Sequence, residues 1–202
     1  LEYMEGFGFG LKEGVELATE SRGTIDSLKK QKNETLDCYT ATASFGQGIT
    51  VTPLQMATAY SAIANGGLLM KPYIVEEIRH TDGRVEKVKP KEIRRVIDSR
   101  TAVLLSGMLV NVVEQGEGRL SRVPNYYLAG KTGTAQIAGP GGYMDEYNHS
   151  FAGFGPVDDP KFVMVIKLEK PVRGEYASYT AAVVFREISK FLVQYYDIPP
   201  HS

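Results

Sequence analysis

Three strand-like runs in succession, at 126–136, 150–155 and 162–168, constrain the fold of this 202-residue chain more than any other feature. Glycine, proline and aspartate separate them, and short turn-rich links favour antiparallel pairing over parallel crossovers. A helical pattern follows over 179–196 and can cover one face of such a sheet. The expected fold class is therefore α/β in the α+β sense: an antiparallel sheet flanked by helices.

Upstream, Thr52-Pro53-Leu54-Gln55 sets a hydroxyl at an N-cap, proline at the first helical position and glutamine at N3, a capping box. Leu54, Ala57, Tyr60, Ser61 and Ala64 then share one face, and Gly66-Gly67 ends the helix. Segments 73–79 and 84–88 flank His80-Thr81-Asp82-Gly83, a hairpin signal. A second helix is predicted over 99–114, with Val103, Leu104, Met108, Val112 and Val113 facing the core. Phe7-Gly8-Phe9-Gly10 reads as a helix exit, residues 11–37 as a polar surface excursion, and 87–92 as a solvated hairpin end. The chain has no internal repeat and no low-complexity tract.

Composition removes several function classes. A formal net charge of -1 lacks the basic footprint of a nucleic-acid binder. The single cysteine, Cys38, excludes an internal disulfide and a multi-cysteine metal site, and is expected to be a small packing residue. His80, His149 and His201 show no ligand spacing, so neither a metal nor a cofactor is expected. No apolar run approaches the roughly 18 residues that span a bilayer. Leu1-Glu2-Tyr3-Met4-Glu5 lacks the basic start and apolar core of a signal peptide, and the chain does not begin with methionine. It is expected to be part of a longer protein.

The chemistry concentrates in Leu128-Ala129-Gly130-Lys131-Thr132-Gly133-Thr134-Ala135-Gln136. A lysine inside an otherwise neutral strand is costly to bury unless an anion or acceptor meets it. Thr132 and Thr134 lie two apart and share one side of a strand, while Gly133 obstructs nothing on the other. Two hydroxyls, strand amides and one cation form a seat for a carboxylate or a carbonyl gaining negative charge. A phosphate-binding G-x-x-x-x-G-K-[ST] loop would need glycine where Asn125 stands, and a helix where Gly133 and Gly139-Pro140-Gly141-Gly142 would break one.

Lys131-Thr132-Gly133-Thr134 resembles the K-T-G motif of penicillin-binding proteins and serine β-lactamases. Ser44-Phe45-Gly46-Gln47-Gly48, continuing through Thr52-Pro53-Leu54-Gln55 to Ala64-Asn65-Gly66-Gly67 and Lys71-Pro72, is similar to a block of the class B, monofunctional penicillin-binding proteins. Ser150-Phe151-Ala152-Gly153-Phe154-Gly155-Pro156 resembles the family's next strand. The likeness runs over nearly the whole chain, residues 1–202, as the C-terminal portion of one transpeptidase domain.

That resemblance implies a D,D-transpeptidase of cell-wall synthesis, outside the bacterial cytoplasmic membrane and anchored by a helix elsewhere in the parent. A serine in S-x-x-K attacks the penultimate D-alanine of a peptidoglycan stem peptide, and an amine resolves the acyl-enzyme. Lys131 would act as cation near the substrate carboxylate, Thr132 and Thr134 would offer hydroxyls to it, and the Thr134 N–H would be an oxyanion donor. Gly133 and Gln136 would line the substrate cleft. Implied partners are the D-Ala-D-Ala stem peptide, β-lactam antibiotics, other wall-synthesis proteins and the segment carrying the nucleophile, with no nucleic acid. No Ser-x-Asn occurs in the chain, and the one Ser-x-x-Lys, Ser27 to Lys30, lies in the polar excursion, so the S-x-x-K and S-x-N motifs are expected upstream. The chain alone is then expected to be inactive and poorly stable. Alternatives are a non-catalytic β-lactam sensor or scaffold, and a carboxypeptidase or β-lactamase of the superfamily. Between septal and elongation types, Gly141-Gly142-Tyr143 and the 150–156 strand lean to septal. Tyr143, Tyr147 and His149 are expected in a loop after the motif strand.

Overall fold

Capping residues and turn glycines fix where each element starts, and tertiary contacts then decide which face is buried. The computed structural model describes residues 1–30 and 38–201. A short helix, α1 (Glu2–Gly6), opens the chain, followed by an irregular stretch to a 3-10 turn at Leu28–Lys30. Residues 31–37 of the expected polar excursion lie outside the described residues. Next comes α2 (Cys38–Ala43), none of whose residues is buried. Cys38 therefore does not pack in a core as expected; it is exposed at the first position of this short helix.

The predicted capping box is formed at α3 (Pro53–Ala64): Thr52 Oγ1 accepts from the Gln55 N–H at 3.1 Å, and Gln55 Oε1 accepts from the Thr52 N–H at 2.9 Å. The buried stripe is Gln55, Thr58, Ala59 and Ala62, one step around the helix from the expected face, which is half-buried. The reason is that α3 is covered on more than one side, by an N-terminal cluster around Phe9, Ile25 and Leu28 and by the main sheet. Burial pushes the Tyr60 phenol up to about 12.

Two small antiparallel pairs follow. Strand β1 (Leu68–Lys71) pairs with β4 (Lys91–Arg95), and the hairpin β2 (Glu77–Arg79) with β3 (Val85–Lys87) sits between them. The stretch 87–92 is thus not simply a hairpin end, because Lys91 and Glu92 pair with Lys71 and Met70. All five residues of β4 are exposed, so it lacks the alternation that would have marked it. Helix α4 (Ser99–Glu114) starts where predicted, with Asp98 accepting from the Thr101 N–H at 2.7 Å. Of its expected core face Val113 is buried and Val112 half-buried, whereas Val103, Leu104 and Met108 are 70%, 56% and 63% exposed and Ala102 is buried instead. Among the described residues α4 meets its neighbours through the Ala102–Val113 side, leaving the other apolar side open.

The main sheet is β5 (Ala129–Gly139), β6 (Gly142–Gly155) and β7 (Phe162–Glu169), in that order and antiparallel throughout. β5 and β7 are both edge strands among the described residues. β5 begins later than the pattern suggests because Asn125, at φ 67°, turns the chain and bridges Val123 to Tyr126. β6 begins at Gly142, so Tyr143, Tyr147 and His149 lie in a strand, not in the expected loop; the long β5–β6 ladder carries them. Helix α5 (Ala181–Tyr195) is preceded by a 3-10 turn at Ala177–Tyr179. Its Ala181, Ala182 and Phe185 close a core with Val113, Val123, Leu128 and Phe151, and the Phe151 and Phe185 rings lie 4.5 Å apart. The outer side of α5 leaves Phe191 and Tyr195 60% and 68% exposed. No helix among the described residues is long and apolar enough to cross a membrane.

Candidate active site

Lys131-Thr132-Gly133-Thr134 occupies β5, the strand at one edge of the main sheet, and is extended as the residue pattern required. Register with β6 sets Lys131 opposite Ala152, Thr132 opposite Phe151, Gly133 opposite Ser150 and Thr134 opposite His149. Thr132 and Thr134 therefore share the sheet face that carries Phe151 and α5. Both line a groove of about 720 Å³, whose other walls come from Gln115–Leu120 after α4 and from the turn holding Tyr176 and Tyr179.

Lys131 alternates to the other face and does not itself line this groove. Its ammonium bends back over the strand and donates to the Thr132 carbonyl at 3.1 Å and the Thr132 hydroxyl at 3.2 Å. Among the described residues no carboxylate pairs with it. The ammonium is thus held by neutral oxygens at the brim of the groove, exposed to solvent.

Gly133 leaves room for its cross-strand neighbour. A Cβ there would lie 2.6 Å from Ser150 Oγ, whose hydroxyl donates to the Gly133 carbonyl at 3.3 Å. The space behind Gly133 is therefore filled by Ser150, which the sequence did not reveal. Gln136 lies further along the strand and donates to the Tyr147 hydroxyl at 3.3 Å, so it is committed to the neighbouring strand and stands outside the groove lining.

Thr134 is tied to the groove's far wall. Its hydroxyl accepts from the Ala177 N–H at 3.1 Å, which leaves the hydroxyl proton available to a second acceptor. His149, opposite Thr134 and 2% exposed, bonds through Nδ1 to the Thr180 hydroxyl at 2.8 Å. Burial holds this imidazole below its usual pKa, so it is neutral at pH 7 and acts as a strut for the 176–180 turn. Sequence reasoning missed the groove walls. Gly116-Glu117-Gly118-Arg119 and Tyr176-Ala177-Ser178-Tyr179 lie 12 or more residues before and 40 or more after Lys131, joined to it only by tertiary folding.

Ser27, in the lone Ser-x-x-Lys, is engaged elsewhere. Its hydroxyl donates to the Gly48 carbonyl at 2.7 Å, at an exposed site beside the 3-10 turn. Among the described residues no group of three or more histidine, cysteine, aspartate or glutamate side chains could hold a metal ion.

Comparison with known proteins gives a consistent picture. The model of the penicillin binding protein transpeptidase domain matches residues 1–190. Stage V sporulation protein D of Bacillus subtilis is 40% identical over 174 residues, covering 84% of this chain and 26% of that protein. Penicillin-binding protein PbpB of Mycobacterium tuberculosis is 36% identical over 211 residues, covering 98% of this chain and 30% of that protein. The crystal structure of penicillin binding protein 3 from Mycobacterium tuberculosis complexed with ampicillin superposes with a TM-score of 0.88 at 35% identity, covering 99% of this chain and 46% of that one. The chain thus spans between a quarter and a third of the length of these two curated relatives.

Proposed function

The chain belongs to the penicillin-binding protein transpeptidase domain family, and on that premise we propose that it forms one wall of a serine D,D-transpeptidase cleft that cross-links peptidoglycan stem peptides. The observation that carries this reading is the edge strand itself: Thr132 and Thr134 line a groove, and the Lys131 ammonium sits 3.2 Å from the Thr132 hydroxyl at its brim. A C-terminal D-alanine carboxylate would draw the ammonium off Thr132 and accept from both threonine hydroxyls, a charge-assisted set of donors. The Thr134 hydroxyl can donate there while it accepts from Ala177. The Thr134 N–H would be one donor to the oxyanion.

In this reading residues 1–202 are the C-terminal portion of the domain, and the nucleophilic serine, its lysine and the Ser-x-Asn loop stand on residues other than these. Ser27 has no catalytic part in this reading; its hydroxyl donates to the Gly48 carbonyl, and it stands outside the groove lining. The same donors that seat the D-alanine carboxylate would seat the carboxylate of a β-lactam. The parent would work with other wall-synthesis proteins at the outer face of the cytoplasmic membrane, held there by an anchor of its own.

Fluorescent-penicillin labelling of the full-length protein tests the reading. Labelling is expected in the wild type, is expected to persist in Ser27→Ala, and is expected to fall by about 100-fold in Lys131→Ala, as when a preorganised electrostatic donor is removed. A penicillin adduct mapped by mass spectrometry to Ser27, or undiminished labelling of Lys131→Ala, would overturn it.

A further inference from the structure

We propose that the loop after α4 recognises the second substrate of the cleft: Glu117 and Arg119 receive the ammonium and the carboxylate of a zwitterionic diamino-acid side chain on the incoming stem peptide. The inference rests on the transpeptidase reading above and adds the chemical class of the acceptor.

The charges at the groove are the starting observation. Lys131, Thr132 and Thr134 supply a cation and hydroxyls, which suits a ligand that brings only a carboxylate. Glu117 lines the same groove and would repel such a ligand, so the D-alanine terminus does not account for it. Arg119, two residues on, lines the groove as well. Neither forms an ion pair among the described residues, although each could have found the other. Their neighbours behave differently: Glu114 and Arg122, which do not line this groove, pair with each other at 2.9 Å. An acid and a base left unpaired side by side match a ligand that carries both signs on one carbon, an amine next to a carboxylate.

The loop is built to hold these two side chains in place. Gly116 donates to Asn111 and Val112 carbonyls at 3.2 and 3.1 Å, and Gly118 donates to the Val112 carbonyl at 3.0 Å. A Cβ at Gly116 or Gly118 would lie 2.9 or 3.0 Å from the Val112 carbonyl oxygen, so both positions press directly onto the end of α4. Ser121, fully buried, donates from its hydroxyl to the Gly118 carbonyl at 2.7 Å and closes a 3-10 turn over Arg119–Ser121. Glu117 and Arg119 therefore project from a backbone already fixed before any ligand arrives.

The opposite wall suits the rest of such a side chain. Tyr176 and Tyr179 are 52% and 66% exposed at the groove and offer ring surface to a run of methylenes. The Tyr176 phenol is raised above its ordinary pKa, first by its hydrogen bond to Glu175 and that residue's charge, and among the lesser causes by Glu117. Glu117 thus acts across the groove on the wall that would flank the ligand.

Glu117 and Arg119 are positioning residues here. In the covalent step the held ammonium first gives one proton to solvent; the neutral nitrogen then adds to the acyl carbonyl, the ester C–O bond breaks, and the second proton that the nitrogen loses goes to the serine oxygen. Neither loop residue enters that exchange of bonds; together they set which amine is presented and at what angle.

The test uses the full-length protein, a D-Ala-D-Ala donor peptide and two acceptor tripeptides, one ending in 2,6-diaminopimelate and one in lysine, which lacks the second carboxylate. The wild type is expected to half-saturate at a lower concentration of the diaminopimelyl acceptor. Arg119→Gln is expected to raise that concentration about tenfold, the loss of one charge-assisted hydrogen bond, and to leave the lysyl acceptor where it was. Glu117→Gln is expected to weaken both acceptors. Penicillin acylation, which involves no acceptor, should be no slower than wild type in either variant, and faster in Glu117→Gln if anything, since that change removes a charge that repels the β-lactam carboxylate; this separates a lost contact from a disturbed fold. Equal half-saturation of the two acceptors by the wild type, equal losses for both in Arg119→Gln, or slowed acylation in either variant would overturn the assignment. A wild-type protein that penicillin does not acylate would instead remove the transpeptidase reading, and this inference with it.

Discussion

Around Phe151 and Phe185 the chain is held by rings and methyl groups: the two rings meet at 4.5 Å, and Leu128, Ala181 and Ala182 are fully buried beside them. Around Ile25 and Ala59 the means are different. There side chains grip main-chain groups. Gln55, fully buried, donates to the Leu11 and Arg22 carbonyls at 2.7 and 2.9 Å while its oxygen caps α3. Glu20 accepts from the Glu13 and Gly14 N–H groups at 2.5 and 2.9 Å, and Arg94 donates to the Glu5 and Gly6 carbonyls. A sheet covered by a helix can bury apolar area in bulk. A run of irregular chain has few side chains to bury and must satisfy its backbone group by group. The groove draws on both: its strand lies over the packed core, and its loop walls are tied by hydrogen bonds at Gly116, Gly118 and Ala177.

That contrast breaks most easily at Phe185. Phe185→Ala is expected to cost about 3–5 kcal/mol, as for a fully buried aromatic, and to lower the denaturation midpoint of the protein. Next is Gln55→Ala, which strands two carbonyls and one N–H that Gln55 now satisfies. It is expected to cost about 2–3 kcal/mol, and hydrogen exchange should rise around residues 11–24 while the main sheet stays protected. Equal loss of protection in both regions would show that they unfold as one.

Thr134→Val tests the seam between strand and groove. Removing the acceptor of the Ala177 N–H is expected to cost about 1 kcal/mol and to loosen the 176–180 turn, seen as faster exchange of the Ala177 amide.

The smallest effect sharpens the contrast through pH. Burial first, and then the neighbouring Glu20, push the Glu13 carboxyl up to about 7, against a lesser opposing effect of its hydrogen bond to Thr58. Its folded pKa lies above the unfolded one, so its contribution is present below the unfolded value and is lost as pH rises through about 7. His149 shifts the opposite way through burial. Its contribution is present above the unfolded histidine value and is lost as pH falls through the lowered one. Protection factors should therefore rise in the Glu13 region and fall around His149 on mild acidification. Movement of both in the same direction would contradict these assignments.

The sheet, the capping box of α3 and the extended conformation of the Lys-Thr-Gly-Thr segment were legible because each rests on local rules: alternation, an N-cap spacing, and glycine at a turn. Burial was less legible. Val103, Leu104 and Met108 carry a helical apolar pattern like that of a core face, yet that side of α4 is exposed, since periodicity reports amphipathicity and not which partner is at hand. The start of β6 was hidden because Tyr143–Asn148 mixes charged and aromatic residues without alternation, and long ladder pairing with β5 overrides that. Of the groove, only the wall carrying Thr132 and Thr134 could be read. The groove's loops carry no motif, and only folding sets Arg119 and Tyr179 beside Thr132.

The order of the main sheet also bears on what β7 can still bind. β7 reads Phe162-Val163-Met164-Val165-Ile166 before its first charge, Lys167, and nothing among the described residues pairs with its outer side. Its two faces are already met by α5 and α3, so what the strand still offers is a row of main-chain donors and acceptors suited to one further strand.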